Sequence, residues 1–124
     1  MNLAAVRIFV WDLEEAKVFY GETLGLQIRG IGSRPGFLVF DAHACDLVVE
    51  QVAPDAPSDE RALVGRFTGL SFNVNNIEQR CAQLEKQGVP FTGRPERQAW
   101  GGTLATLQDP AGNELQLVEY PRAT

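Results

Sequence analysis

Few of the 124 residues combine a reactive side chain with a neighbour able to activate it. The single histidine, His43, stands two positions from Cys45, the residue types of an imidazole-activated thiolate. The run from Asp41 to Asp46 joins two strand-like segments, so both residues fall in a hairpin turn with no third group to orient the base. A structural or solvent-exposed role is expected for them. Cys81 belongs to a helical stretch, where a small buried hydrophobe is the expected reading, and neither cysteine has a metal-binding spacing. Trp100-Gly101-Gly102 is not a phosphate loop, because it lacks the surrounding glycine and lysine pattern and precedes a strand rather than a helix. The Trp100 indole has two readings, stacking on a planar or cationic ligand or capping the end of a sheet.

The elements that must position such residues are written twice. Val10-Trp11-Asp12-Leu13-Glu14-Glu15 runs on to Leu24-Gly25-Leu26, and Val74-Asn75-Asn76-Ile77-Glu78-Gln79 runs on to Gln87-Gly88-Val89. In each copy an apolar strand leads into a helix N-cap, Asp12 or Asn76, with Glu15 or Gln79 at the capping-box spacing. Each helix stops at a glycine suited to a left-handed C-terminal position. The expected order is β Ala5–Val10, α Leu13–Leu24, then strands Leu26–Arg29, Gly36–Asp41 and Asp46–Val52, separated by Gly, Pro and polar turns. The second copy reads β Leu70–Val74, α Ile77–Gln87, then strands Pro90–Thr92, Thr103–Gln108 and Glu114–Glu119. Residues 1–53 thus form a first βαβββ module and 66–124 a second. The proline-rich acidic stretch 54–65 links them, with one helical turn after Ser58.

This length buries about two-thirds of the unfolded surface without needing a disulfide or metal, and the 44% apolar content fits a globular core. No apolar run approaches the ~20 residues of a membrane span, and Met1 to Ala5 does not read as a signal peptide. A soluble cytoplasmic protein is expected, and two cysteines apart in sequence suit a reducing compartment. The net charge of −5 disfavours nucleic acid as a partner and favours a neutral or cationic ligand.

The run Val10 to Ala16, followed by Phe19-Tyr20 and Leu24-Gly25-Leu26, with Trp100-Gly101-Gly102 and Asp109-Pro110-Ala111-Gly112-Asn113-Glu114-Leu115, resembles the glyoxalase, bleomycin-resistance and extradiol-dioxygenase group, the vicinal oxygen chelate superfamily. The resemblance covers nearly the whole chain. It implies an α+β fold of two βαβββ modules, each a curved half-barrel sheet around a cavity, commonly in a homodimer. Metal-dependent members hold a divalent ion with four side chains, from the first and last strands of each module. Here those positions read Ala5, Glu50, Gly69 and Gln116, of which only Glu50 is a strong ligand. The expectation is therefore no metal and no cofactor.

Strand alternation places Arg7 and Phe9 on the face of Ala5, Ser71 and Asn73 on that of Gly69, Val48 on that of Glu50, and Glu114 and Val118 on that of Gln116. Arg7, Phe9, Glu50, Ser71, Asn73, Trp100 and Gln116 are thus the candidate ligand-binding residues. Arg7 and Glu50 read equally as a self-satisfied ion pair. The resulting expectation is a metal-free small-molecule binding protein, sequestering an aromatic or cationic ligand such as a drug. The alternative is a lyase, isomerase or dioxygenase with a displaced metal site, or with Glu50 as general base.

Overall fold

The alternating burial of this chain's strands builds two open sheets. A computed structural model describes residues 1–32 and 36–122, so the turn expected ahead of the third strand, at 33–35, lies outside the described residues. The first module contains β1 (Ala5–Val10), α1 (Leu13–Ala16) with a π-helical continuation (Lys17–Thr23), β2 (Gln27–Gly32), β3 (Phe37–Asp41) and β4 (Asp46–Gln51). A short helix α2 (Ser58–Arg61) occupies the linker. The second module follows with β5 (Phe67–Asn73), α3 (Ile77–Lys86), β6 (Phe91–Arg97), β7 (Thr103–Gln108) and β8 (Glu114–Glu119). The fold is α+β, with two four-stranded mixed sheets in the orders β1-β4-β3-β2 and β5-β8-β7-β6. In each sheet the first and last strands of the module pair in parallel and the remaining pairs are antiparallel. No helix among the described residues is long and apolar enough to cross a membrane.

Two compact units emerge, Met1–Arg66 with the turn Pro110–Asn113, and Phe67–Asp109 with Glu114 onward. The turn between β7 and β8 therefore belongs with the first unit. There the Asn113 side chain, 1% exposed, donates to Phe9 O at 2.8 Å and accepts from the backbone N–H groups of Gly65 and Arg66 at 2.8 and 3.3 Å.

One face of each sheet carries the core. Ile8, Val10, Leu38, Phe40, Leu47 and Val49 lie at most 4% exposed beneath the first helix. In the second unit Ala105, Leu107, Leu115 and Leu117 meet Ile77, Cys81 and Leu84 of α3, as helical spacing and strand alternation require.

Both helix starts are capped as the sequence leads one to expect. Asp12 Oδ1 accepts from Glu14 N at 2.9 Å and Glu15 N at 3.3 Å, and Asn76 Oδ1 accepts from Gln79 N at 3.3 Å. A second device repeats without being visible in the motif. The side chain ending each module's last strand takes the first helical N–H, Leu13 N to Gln51 Oε1 at 3.0 Å and Ile77 N to Glu119 Oε1 at 2.7 Å. Gly25 and Gly88 end the helices at φ 81° and 87°.

The helices differ between those matched ends. The continuous α-helix expected over Leu13–Leu24 is α-helical only to Ala16, and its π-helical part closes with Leu24 N–H on Phe19 O at 2.8 Å. Thirteen positions separate Asp12 from Gly25, against twelve from Asn76 to Gly88. The wider turn absorbs the extra residue. It also lets consecutive aromatics face inward together. Phe19 and Tyr20 are both buried, edge to face at 4.9 Å, with Tyr20 reaching Phe40 at 5.9 Å.

β6 is longer than the expected Pro90–Thr92. Its register with β7 shifts on either side of Gly93, and such irregularity at a sheet edge accommodates Pro95. β5 likewise starts at Phe67 rather than Leu70, and β2 runs on to Gly32.

Candidate functional site

The sheet faces turned away from the helices carry most of the candidate residues. In the first unit Arg7, Phe9 and Glu50 come together because β1 and β4 pair with Arg7 beside Val48 and Phe9 beside Glu50. The Arg7 guanidinium forks onto the carboxylate, Nε to Oε1 at 2.7 Å and one terminal nitrogen to Oε2 at 2.9 Å, and lies 5.1 Å from the Phe9 ring centroid. The bond to Glu50 and its charge push the Arg7 pKa up. The Arg7 side chain is 58% exposed and that of Glu50 19%, so the acid forms a floor and the guanidinium lies over it towards solvent. A second pair on β2 and β4, Arg29 to Asp46 at 2.9 Å, escaped the sequence reading. Arg29 stands at the bulge between the Ile28 and Gly30 pairings, which strict alternation cannot anticipate.

Among the described residues, the corresponding surface of the second unit has acids but no paired arginine, Glu114 on β8 and Glu96, which pairs with Leu104, on β6. Ser71 pairs with Gln116 and Asn73 with Val118 across β5 and β8. Gln116 Nε2 reaches Thr106 Oγ1 at 3.4 Å, and Thr92 Oγ1 donates to Glu114 at 2.8 Å. Thr92 and Thr106 were not singled out from sequence, although the even-numbered positions of β7 and β8 were enough to place Thr106. Gln116 and Glu50 stand one pair apart within their modules, the counterpart of Gln116 by pairing being Val48.

Trp100 caps the end of its sheet. Its ring lies over Gly102 so closely that a Cβ there would overlap it, and it meets Tyr120 at 5.9 Å and 50° while remaining 53% exposed. His43 occupies the β3–β4 turn at φ 69°, its N–H held by Asp41 Oδ1 at 2.8 Å.

A divalent ion at the superfamily positions does not fit these residues. Ala5 and Gly69 offer no donor, both Glu50 oxygens accept from Arg7, and Gln116 is a neutral amide. Gly69 departs further than a missing side chain. It takes φ 75° within a two-residue bulge of β5, whose paired residues jump from Phe67 to Ser71 while β8 advances only from Glu114 to Gln116. Thr68 stabilises the detour by donating to Glu114 O at 2.7 Å and accepting from Leu70 N at 3.2 Å. Among the described residues no three His, Cys, Asp or Glu side chains are grouped to hold a metal.

Paired βαβββ modules with open mixed sheets define a glyoxalase-like scaffold. The model of the Glyoxalase/Bleomycin resistance protein/Dioxygenase superfamily matches residues 2–117, and the chain belongs to that superfamily. A superfamily member from Sphaerobacter thermophilus is similar at 29% identity and TM-score 0.80, over 97% of this chain and 98% of the other. TnmS3, an antibiotic binding protein from Streptomyces, has 27% identity and TM-score 0.77 over 98% and 97% of the two chains. A lactoylglutathione lyase from Agrobacterium tumefaciens shares the fold, with 19% identity and TM-score 0.72 over 95% and 92%. Among curated protein sequences there is no match.

Proposed function

We propose that this chain is a metal-free small-molecule binding protein, a cytoplasmic homodimer that sequesters a planar cationic or aromatic compound of the kind antibiotics include. The observation that carries the reading is the Arg7–Glu50–Phe9 cluster on the face of the first sheet turned away from its helix. An exposed ion pair of this kind contributes about 0–1 kcal/mol. Turning Arg7 outward therefore costs little and presents a carboxylate beside an aromatic face, which suits a ligand that is both cationic and flat. Ser71, Asn73 and Gln116 supply neutral hydrogen bonds, and Trp100 an exposed indole. TnmS3 supports the reading as a similar protein that binds an antibiotic. General-base chemistry by Glu50 draws less support, because both its oxygens already accept charged hydrogen bonds.

The test uses protein dialysed against chelator and proflavine as the aromatic cation. Its melting temperature is expected to rise with proflavine, and the rise to disappear in Glu50→Gln and shrink in Trp100→Ala. Turnover of methylglyoxal hemithioacetal or of a catechol, abolished by chelation, would overturn this reading in favour of an enzyme.

A further inference from the structure

Glu50 has an aromatic neighbour on either side. The strand pairings set Phe9 of β1 and Phe37 of β3 directly beside it, and strand alternation turns all three side chains to the face away from the helix. All three residues are half-buried there. Arg7 pairs with Val48, so its side chain leans along β4 to reach the carboxylate. What it delivers is a flat, forked cation, with Nε and a terminal nitrogen 2.7 and 2.9 Å from the two oxygens and the Phe9 ring 5.1 Å away. The Arg29–Asp46 pair on the same sheet offers the contrast. Asp46 has Ala5 and Asp41 as its cross-strand neighbours, and Arg29 meets it through one nitrogen at 2.9 Å. The same two residue types make an ordinary surface pair at one end of β4 and an aromatic-walled one at the other.

We propose that the Arg7 guanidinium is a resident stand-in for the ligand, and that the ligand to which it yields is a small aromatic amidine. This rests on the reading of Arg7, Phe9 and Glu50 as the binding cluster, and narrows it from flat cations in general to those with two parallel N–H donors. An amidinium repeats the guanidinium fork on a carboxylate. Its aryl group adds ring contacts with Phe9 and Phe37 that an aliphatic stem cannot make. The exchange is even, since two N–H···O bonds to Glu50 break and two form, while Arg7, already 58% exposed, turns into water. Arg7 is thus a built-in competitor, and the apparent affinity of the site falls with the fraction of time that it holds the carboxylate.

The full chain, dialysed against chelator, is titrated calorimetrically with benzamidine and with phenyltrimethylammonium, a cation of equal charge that cannot fork. Benzamidine is expected to bind the parent, to bind Arg7→Ala about fivefold more tightly, and to lose its binding in Glu50→Gln. Arg7→Lys, which keeps the charge without the fork, should fall between parent and Arg7→Ala. Arg29→Ala removes the same charge from the same sheet and should leave the benzamidine affinity as it is. Equal tightening of both cations by Arg7→Ala, equal effects of Arg7→Ala and Arg29→Ala, or weaker benzamidine binding in Arg7→Ala would each overturn the proposal. If proflavine binds through Glu50 and benzamidine does not, the forked ligand is wrong and the wider reading stands. If neither binds the parent or Arg7→Ala, both fall.

Discussion

The two modules share caps, strand order and helix-ending glycines, yet their faces away from the helices have diverged. The first carries two arginine–carboxylate pairs, Arg7–Glu50 and Arg29–Asp46, on opposite sides of Val48. The second carries hydroxyls and amides, with Glu114 bound by Thr92. Duplication has kept whatever folds the backbone and released the sheet faces turned away from the helices. The core faces are bound by helix packing, whereas a partly exposed face tolerates substitutions that change charge with little effect on stability.

The largest expected asymmetry concerns the seated turn. Asn113→Ala removes three buried hydrogen bonds and should destabilise by about 2–4 kcal/mol in urea unfolding. His43→Ala, in the turn of the first module, should change stability by less than about 1 kcal/mol. Equal losses at the two turns would remove the distinction between them.

A smaller asymmetry concerns Ala5 and Gly69, the first-strand positions to which the resemblance assigns the ligands. Ala5 lies exposed in regular β1, so Ala5→His should be nearly neutral, whereas Gly69→His places a Cβ at φ 75° and should cost about 1–2 kcal/mol. Thermal melts of the two variants would sharpen the comparison, since a neutral Gly69→His would mean that the β5 bulge yields easily.

The smallest contrast is between the cysteines, one per module. Burial, followed by the charges of Glu78 and Glu85, pushes the Cys81 thiol up to about 11 from its ordinary 9.0, while Cys45 is only half-buried. Because the folded form holds this proton more tightly, the associated stability is complete below pH 9.0 and is lost as pH rises towards about 11. Iodoacetamide at pH 8 should label Cys45 and spare Cys81, and Cys81→Ala should flatten the alkaline part of the stability profile. Equal labelling of both thiols would contradict the burial.

Much of this was legible because its causes are local. Caps at Asp12 and Asn76, glycines at 25 and 88, and alternation in β1, β4, β7 and β8 each act within a few residues. The pairing of Arg7 with Glu50 was legible as one of two readings, since an acid and a base on adjacent strands and one face will meet. The π-helical turn was hidden in a count, the one-residue difference between the copies, and not in any residue type. The Gly69 bulge and the shifts along β6 were invisible because register slips depend on neighbouring strands. Trp100 had two readings on paper, and its contacts with Gly102 and Tyr120 leave half of the indole exposed, so packing and stacking share the same ring.

The side chains of Gln51 and Glu119, which hold the first N–H of each helix, also impose an order in time. Each lies 38 or more residues downstream of the helix it secures. Neither helix start is fully tied down until the last strand of its module has arrived alongside the first, the slowest kind of contact for a chain to make. Closing the module and locking its helix therefore become one late event, so a nascent module remains pliable until its final strand has been synthesised.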